Sequence, residues 1–496
     1  MKKRWFSYLV PLVVFGLYWS SSPNGYPEPK STQITVYNQD LALVREIRKI
    51  SLTQGIGQVR IDDVPALIEP TSLFFKSLTH PNAVQILEQN YDYDLVSQGK
   101  LRNRFLGKEV EVEMADPETH KTIRKKAKML STGWTFNGGG WSETGTPIVE
   151  IDGKVYVQPP GQIILPALSA NQFLLRPTLN WMVQSRISGD EDTELSYLTH
   201  GLTWNANYVV VTDSKDTHLD LTGWVTLANK SGTAYPNARL QLMAGDVHVL
   251  LPKAEAYGAM QSMAARDEEK AASPFQEKSF FEYHLYTLDR PTSLLNDQTK
   301  QIELLSAYNV PMEKVFVYDG APLSYGFYYD DVSYRENPTY GPQSNKKIWV
   351  MLEFMNKERD GLGRPLPKGT VRVYKTDDDG SREFIGEDQI DHTPKDEKVR
   401  LYLGDAFDVV GERKQTSFHE VVPHSVYDET FQIDLRNHKS EAATVRVVEH
   451  LWRWNDWTIT KSSHSYRKID SHTIEFPEKV AANGNTTITY TVRYKF

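Results

Sequence analysis

Leu219-Asp-Leu-Thr-Gly-Trp-Val-Thr-Leu-Ala-Asn-Lys230 alternates apolar and polar positions and then stops at an Asn followed by a basic residue. After a polar turn the chain returns through Ala238-Arg-Leu-Gln-Leu242. The same order recurs at Ile348, Val350, Leu352, Phe354 and Asn356-Lys357, returning at Val371-Arg-Val-Tyr374. A third copy is Phe431-Gln-Ile-Asp-Leu-Arg-Asn437, then His438-Lys439, returning at Val445-Arg-Val447. A period of two turns one strand face to a core and the other to water. Three such copies predict an all-β chain of several antiparallel β-sandwich (Ig-like) units with a few short helices. Each terminal Asn is expected to bond its own backbone two residues on and so start the turn.

Further strands are expected at 34–36, 41–50, 58–61 and 110–114, and alternation over 488–496 places the C-terminus in a sheet. Leu95, Leu101 and Phe105 loosely share a helical face, which predicts a helix over 95–106. Asn137-Gly-Gly-Gly140 and Asp152-Gly153 read as hairpin turns, as does Asp377-Asp-Asp-Gly380, whose following residues lack calcium-loop spacing. Residues 253–278 break the pattern with Ala, Met, Gln and mixed charge, and are expected to form a flexible excursion with a transient helix over 260–272. The resulting division is 31–180, a β-rich N-terminal domain; 181–252, the first module; 253–278, the insertion; 279–425, the second module; and 426–496, a C-terminal Ig-like sandwich.

The 496 residues suffice for about three domains of ~150 residues. The chain holds 26 Tyr, 19 Phe and 11 Trp, which suit a pleated surface. A net charge of −8 and a pI near 6.0 argue against a nucleic-acid footprint. Cysteine is absent, which excludes disulfides, zinc–thiolate sites and cysteine nucleophiles. Lys2, Lys3 and Arg4 precede an apolar run over 5–19 and then Ser20-Ser-Ser22, the layout of a secretory signal. Residues 1–22 are therefore expected to be a signal peptide or a retained N-terminal anchor, with the remainder exported to the periplasm or cell surface. Membrane contact is expected only through that segment if it is uncleaved.

No nucleophile elbow, phosphate-binding glycine loop or dinucleotide fingerprint is present, and no cofactor or metal is expected. His419-Glu420 followed by Pro423-His424 misses the zinc-protease motif, because the histidines lie five apart rather than four. Asp391, His392, Asp396 and Glu397 cluster acids with an imidazole in one loop, the weak candidate for metal-assisted or carboxylate hydrolysis. Trp452 and Trp454, two apart in an alternating strand, would share a face; with Trp457 they form a candidate sugar-stacking or partner-contact platform. The tyrosines at 325–340 read as a surface loop. Trp204 and Tyr208, four apart, are expected side by side in the core.

Leu195-Ser-Tyr-Leu-Thr-His-Gly-Leu-Thr-Trp204, with Ala206-Asn-Tyr208, then 221–229 and 237–246, resembles bacterial proteins of the domain of unknown function 4139 family. So do Asp297-Gln-Thr-Lys-Gln301, Gly361-Leu-Gly-Arg-Pro-Leu-Pro367 with Gly369, Gly386-Glu-Asp388, Asp391-His-Thr-Pro394, Gly404 and Phe407-Asp-Val409. The likeness covers about residues 31–496. It implies a β-rich exported protein and brings no established activity or catalytic residue. Some relatives, similar to mucoidy inhibitor A proteins, carry a coiled coil, and no heptad run occurs here. The combined expectation is an exported cell-envelope protein that binds or assembles with an envelope protein or glycan. A hydrolase and a carbohydrate-binding protein stand as the alternatives.

Overall fold

The computed structural model describes residues 29–93, 98–116, 119–137, 140–143, 146–166, 176–245, 247–248, 274–320, 337–338 and 345–496. The expected N-terminal signal, most of the 253–278 excursion, the tip of the 137–140 turn and most of the tyrosine-rich run lie outside the described residues. Strands dominate. Among the described residues the helical elements are one α-helix, Gln98–Arg104, inside the expected 95–106 span, and short turns such as Pro70–Ser72 and Glu358–Asp360. None is long and apolar enough to cross a membrane. The excursion is shorter than expected, because Phe275–Phe280 is already a sheet strand.

Two compact units result, each drawn from separated stretches: 44–199 with 231–233, and 33–43 with 200–230 and 234–496. In the first, Ala42–Leu52, Gly189–Thr199 and Phe74–Ser77 lie side by side, and Thr178–Ser185 pairs antiparallel with Gly55–Ile61 and Val84–Asp92. A five-stranded antiparallel sheet centred on Thr122–Ser131 and Glu109–Ala115 encloses its own core of Val110, Val112, Met129, Val149 and Ile151.

The second unit contains all three repeats, and here the expectation of simple antiparallel modules needs correction. The first strand of each copy pairs antiparallel with its neighbours: His218–Asn229 with Leu202–Thr212, Lys347–Met355 with Lys398–Val422, and Val426–Asn437 with Asn485–Lys495. The return strand does not pair back on it. Tyr235–Ala244 instead runs parallel to Ser31–Tyr37, Gly369–Thr376 parallel to Leu202–Thr212, and Ala443–His450 parallel to the second half of Gln298–Asp319. Each copy is thus a crossing from one strand row to another.

Such a crossing strands backbone carbonyls away from any ladder, and burying them unpaired is costly. The terminal asparagines resolve this. Asn229, Asn356 and Asn437 are all buried. The Asn229 amide donates to Leu294 O (3.2 Å) and Leu295 O (3.1 Å). The Asn356 amide donates to Arg364 O (2.6 Å) and Pro394 O (2.8 Å), and its oxygen accepts Gly363 N–H (2.9 Å). The Asn437 amide reaches Glu441 O (2.8 Å) and Ala481 O (3.0 Å), while its oxygen accepts Lys439 N–H (3.0 Å). The expected bond two residues on is thus present at Asn437, while Asn356 spans seven residues to Gly363. Gly363 is left-handed (φ 77°), and a Cβ there would lie 2.5 Å from the Glu358 backbone.

Two strands are longer than one sandwich needs. Gln298–Asp319 pairs with His218–Asn229 as far as Pro311, then with Lys347–Met355 from Met312 and Ala443–His450 from Phe316. Lys398–Val422 passes likewise from Lys347–Met355 to Val426–Asn437. The C-terminal core packs Tyr318, Ile348, Ile433, Val445, Phe476 and Ile488. An ion pair runs through it. Arg413 Nε donates to Glu449 Oε1 (3.0 Å) and Oε2 (2.9 Å), with the guanidinium 3.9 Å over the Phe431 ring; Tyr490 Oη donates to the same carboxylate.

Two stability outcomes follow from these contacts. Asn356→Ala removes the bonds to Arg364 O and Pro394 O and from Gly363 N–H and should cost about 3 kcal/mol in urea unfolding of the full chain. Asn356→Asp should cost at least as much, because a carboxylate would face two carbonyl oxygens; a loss under ~1 kcal/mol for either would refute the clip. Arg413→Met alone should cost about 4 kcal/mol by stranding Glu449 in the core, and adding Glu449→Leu should restore most of it. A double variant no more stable than the single one would contradict that account.

Candidate functional site

The Asp391–Glu397 loop is knitted to the fold by its backbone. Leu366 and Thr393 exchange backbone hydrogen bonds (2.8 and 2.9 Å), Asp396 N–H donates to Asn356 O (2.8 Å), and Asn356 N–H donates to Glu397 O (2.9 Å). Asp391, Asp396 and Glu397 point to solvent. The half-buried His392 accepts the Lys368 N–H at Nδ1 (3.3 Å), which fixes its neutral tautomer with the proton on Nε2. Among the described residues no three His, Asp or Glu side chains are placed to share a metal ion.

The tryptophan platform also needs correction. The strand ends at His450, so residues 451–456 do not alternate and Trp452 and Trp454 do not share a strand face. Trp452, 40% exposed, stacks with His450 (5.6 Å) and with His472 (5.3 Å). His450 Nε2 lies 2.9 Å from Asp319 Oδ2, and His472 Nε2 lies 2.6 Å from Asn455 Oδ1. Trp454 packs on the C-terminal core against Phe496 (5.1 Å). Trp457 donates from Nε1 to Ser471 O (2.8 Å) beneath the Lys468 ammonium. His419 lies in the long strand and His424 in its hairpin turn, with His424 N–H bonded to Glu420 (2.7 Å).

One serine–histidine–glutamate group escaped the motif search because its members are distant in sequence. Buried Glu191 accepts Ser77 Oγ–H, His80 N–H (2.9 Å) and His80 Nδ1 (3.1 Å). The connectivity is wrong for nucleophile activation, since the serine donates to the acid rather than to the imidazole. Burial alone would raise the Glu191 pKa, but the bonds from Ser77 and His80 outweigh it and bring it down to about 2.

The site that stands out is the Phe275–Phe280/Tyr283–Leu288 hairpin, together with the 361–367 loop. Phe280 pairs with Tyr283, so Phe281 and Glu282 form a two-residue turn. Below it, Glu277, 9% exposed, accepts from His284 Nδ1 (3.0 Å). Tyr286 Oη donates to Pro365 O (2.9 Å) and buried Tyr208 Oη to Pro367 O (2.7 Å), so the two prolines of the loop are held from beneath. Trp204 and Tyr208 are both fully buried, as their spacing predicted. Burial lowers the Arg364 pKa, while nearby Glu277 and Tyr286 act against the shift.

The tip is the anomaly. Phe281 is left-handed (φ 58°) and 81% exposed, and Phe280 beside it is 51% exposed. The other ten non-glycine residues with positive φ among those described are Asn, Asp or His, side chains that tolerate this region. A turn with only its first residue left-handed ordinarily takes glycine there. A phenylalanine costs roughly 1–3 kcal/mol of backbone strain, and its ring meets water. Among the described residues its one ring neighbour is Tyr283, at 6.1 Å.

The Glu191 group fixes a pH dependence. Its folded pKa lies below the unfolded value, so its stabilisation is complete above about pH 4.5 and is lost as pH falls through about 2. Ser77→Ala should raise the carboxyl's titration midpoint, followed by carbon NMR; an unchanged midpoint would contradict the bonding described. No family model and no curated protein matches this chain.

Proposed function

We propose that the chain is an exported cell-envelope protein that acts by binding or assembly rather than catalysis, with the Phe275–Phe280/Tyr283–Leu288 hairpin as its contact element. The observation that carries this reading is Phe281, whose left-handed backbone and exposed ring meet no ring but Tyr283 among the described residues. Strain of this kind concentrates where a protein works on something else. The basic–apolar–small pattern of residues 1–22 supports export. The Glu277–His284 pair and the tyrosine-held prolines serve as the hairpin's footing, fixing the direction in which the tip is offered.

Cell fractionation tests the location: the chain should appear in the periplasmic, surface or membrane fraction, and an exclusively cytoplasmic pool would sink export. Metal analysis of purified protein tests the mode of action. Stoichiometric metal that disappears on His392→Ala would replace the binding reading with the hydrolase.

A further inference from the structure

Resting on the binding reading above, we infer that the hairpin tip enters a protein pocket with an apolar floor and a cationic rim. The rings of Phe280 and Phe281 supply an apolar point at the end of a two-residue turn. Glu282, the next residue, is exposed and has no partner among the described residues. Whatever receives Phe281 must therefore receive a carboxylate immediately beside it.

That adjacency separates the possible hosts. A bilayer would draw the Glu282 charge toward hydrocarbon together with the ring, and acidic side chains are expensive there. A sugar face would stack on one ring and leave the carboxylate unanswered. A protein pocket with Lys or Arg at its mouth satisfies both groups at once, because the ring fills the floor while the ion pair forms at the rim. The tip is also presented rigidly. Tyr283, which supports Phe281, is seated against left-handed Gly245, where a Cβ would lie 2.5 Å from the ring. Little freedom is left to lose on docking, which favours a shaped cavity. The Lys278 ammonium sits 5.8 Å from the Phe280 ring centre, so one side of the point is already covered by a cation and the partner's cations are expected on the Glu282 side.

The test uses the full chain carrying a photo-crosslinking phenylalanine analogue at position 280 or, separately, 407, in native cells. Phe407 is 94% exposed and serves as the comparison site. The segment joined at position 280 is then made as a synthetic peptide and titrated against purified wild type, Phe281→Gly, Glu282→Gln and Glu282→Lys. The peptide should carry Lys or Arg beside apolar residues. Its affinity should fall about tenfold or more for Phe281→Gly and for Glu282→Lys, with Glu282→Gln between wild type and Lys. Phe281→Gly should melt at or above the wild-type temperature, because glycine is at ease in the left-handed region, so lost binding cannot be charged to misfolding. Affinity indifferent to the charge at position 282 would overturn the cationic rim. Sedimentation with phosphatidylglycerol vesicles that is abolished by Phe281→Gly would assign the tip to lipid instead. Crosslinks at 407 and none at 280 would refute the tip alone, whereas none at either position would refute the binding reading itself.

Discussion

Three buried asparagine amides make the architecture of the larger unit possible. A chain that leaves one strand row for another abandons its ladder partners, and the carbonyls at the crossing must be answered inside the protein. A neutral side-chain amide suits this, because it offers two donors and an acceptor in one plane without bringing a charge into the core. A carboxylate would repel the carbonyls, and a hydroxyl has only one hydrogen to give. Asn229, Asn356 and Asn437 occupy the equivalent point of three crossings and bind carbonyls of three different loops. The three parallel pairings depend on crossings held in this way.

Alternation made the strands legible. Residues 34–36, 58–61 and 110–114 fall inside observed strands, and 488–496 does so up to Lys495, because burial on one face is a property each strand carries by itself. Pairing was not legible. A period of two says which side chains turn inward and is silent on which strand lies alongside, so nothing in the sequence marks the return segments as parallel crossing strands. The asparagines were visible as a repeat, yet their bonds run to positions such as Pro394 and Ala481 that local turn chemistry does not reach. The threading of 33–43 into one unit and 44–199 into the other left no mark in composition.

The surroundings of the candidate residues differ from what residue types alone suggest. The acidic loop drew attention through residue types, but its acids face water and its imidazole accepts a backbone N–H. The tryptophans were read as a strand face because the alternation before them was assumed to continue past His450. The hairpin tip went unnoticed since Phe280-Phe281 in a sequence looks like core. Only the backbone angle and the exposed ring reveal that the fold spends stability to hold it in water. Ser77, His80 and Glu191 show the converse case, residue types suggestive of catalysis whose connectivity makes them a loop fastening.

Gln298–Asp319 and Lys398–Val422 each serve two neighbouring sandwich cores without a break. Beads joined by a linker can tilt, fray and melt one at a time. Continuous strands remove that independence, since a residue pulled from one core tugs on the ladder of the next. The larger unit therefore resembles a stiff truss more than a string of modules: force applied at one end is resisted by backbone hydrogen bonds at the other, and loosening is all-or-none. An element mounted on such a frame keeps its aim under load, as a fixed tooth does and a flexible arm does not.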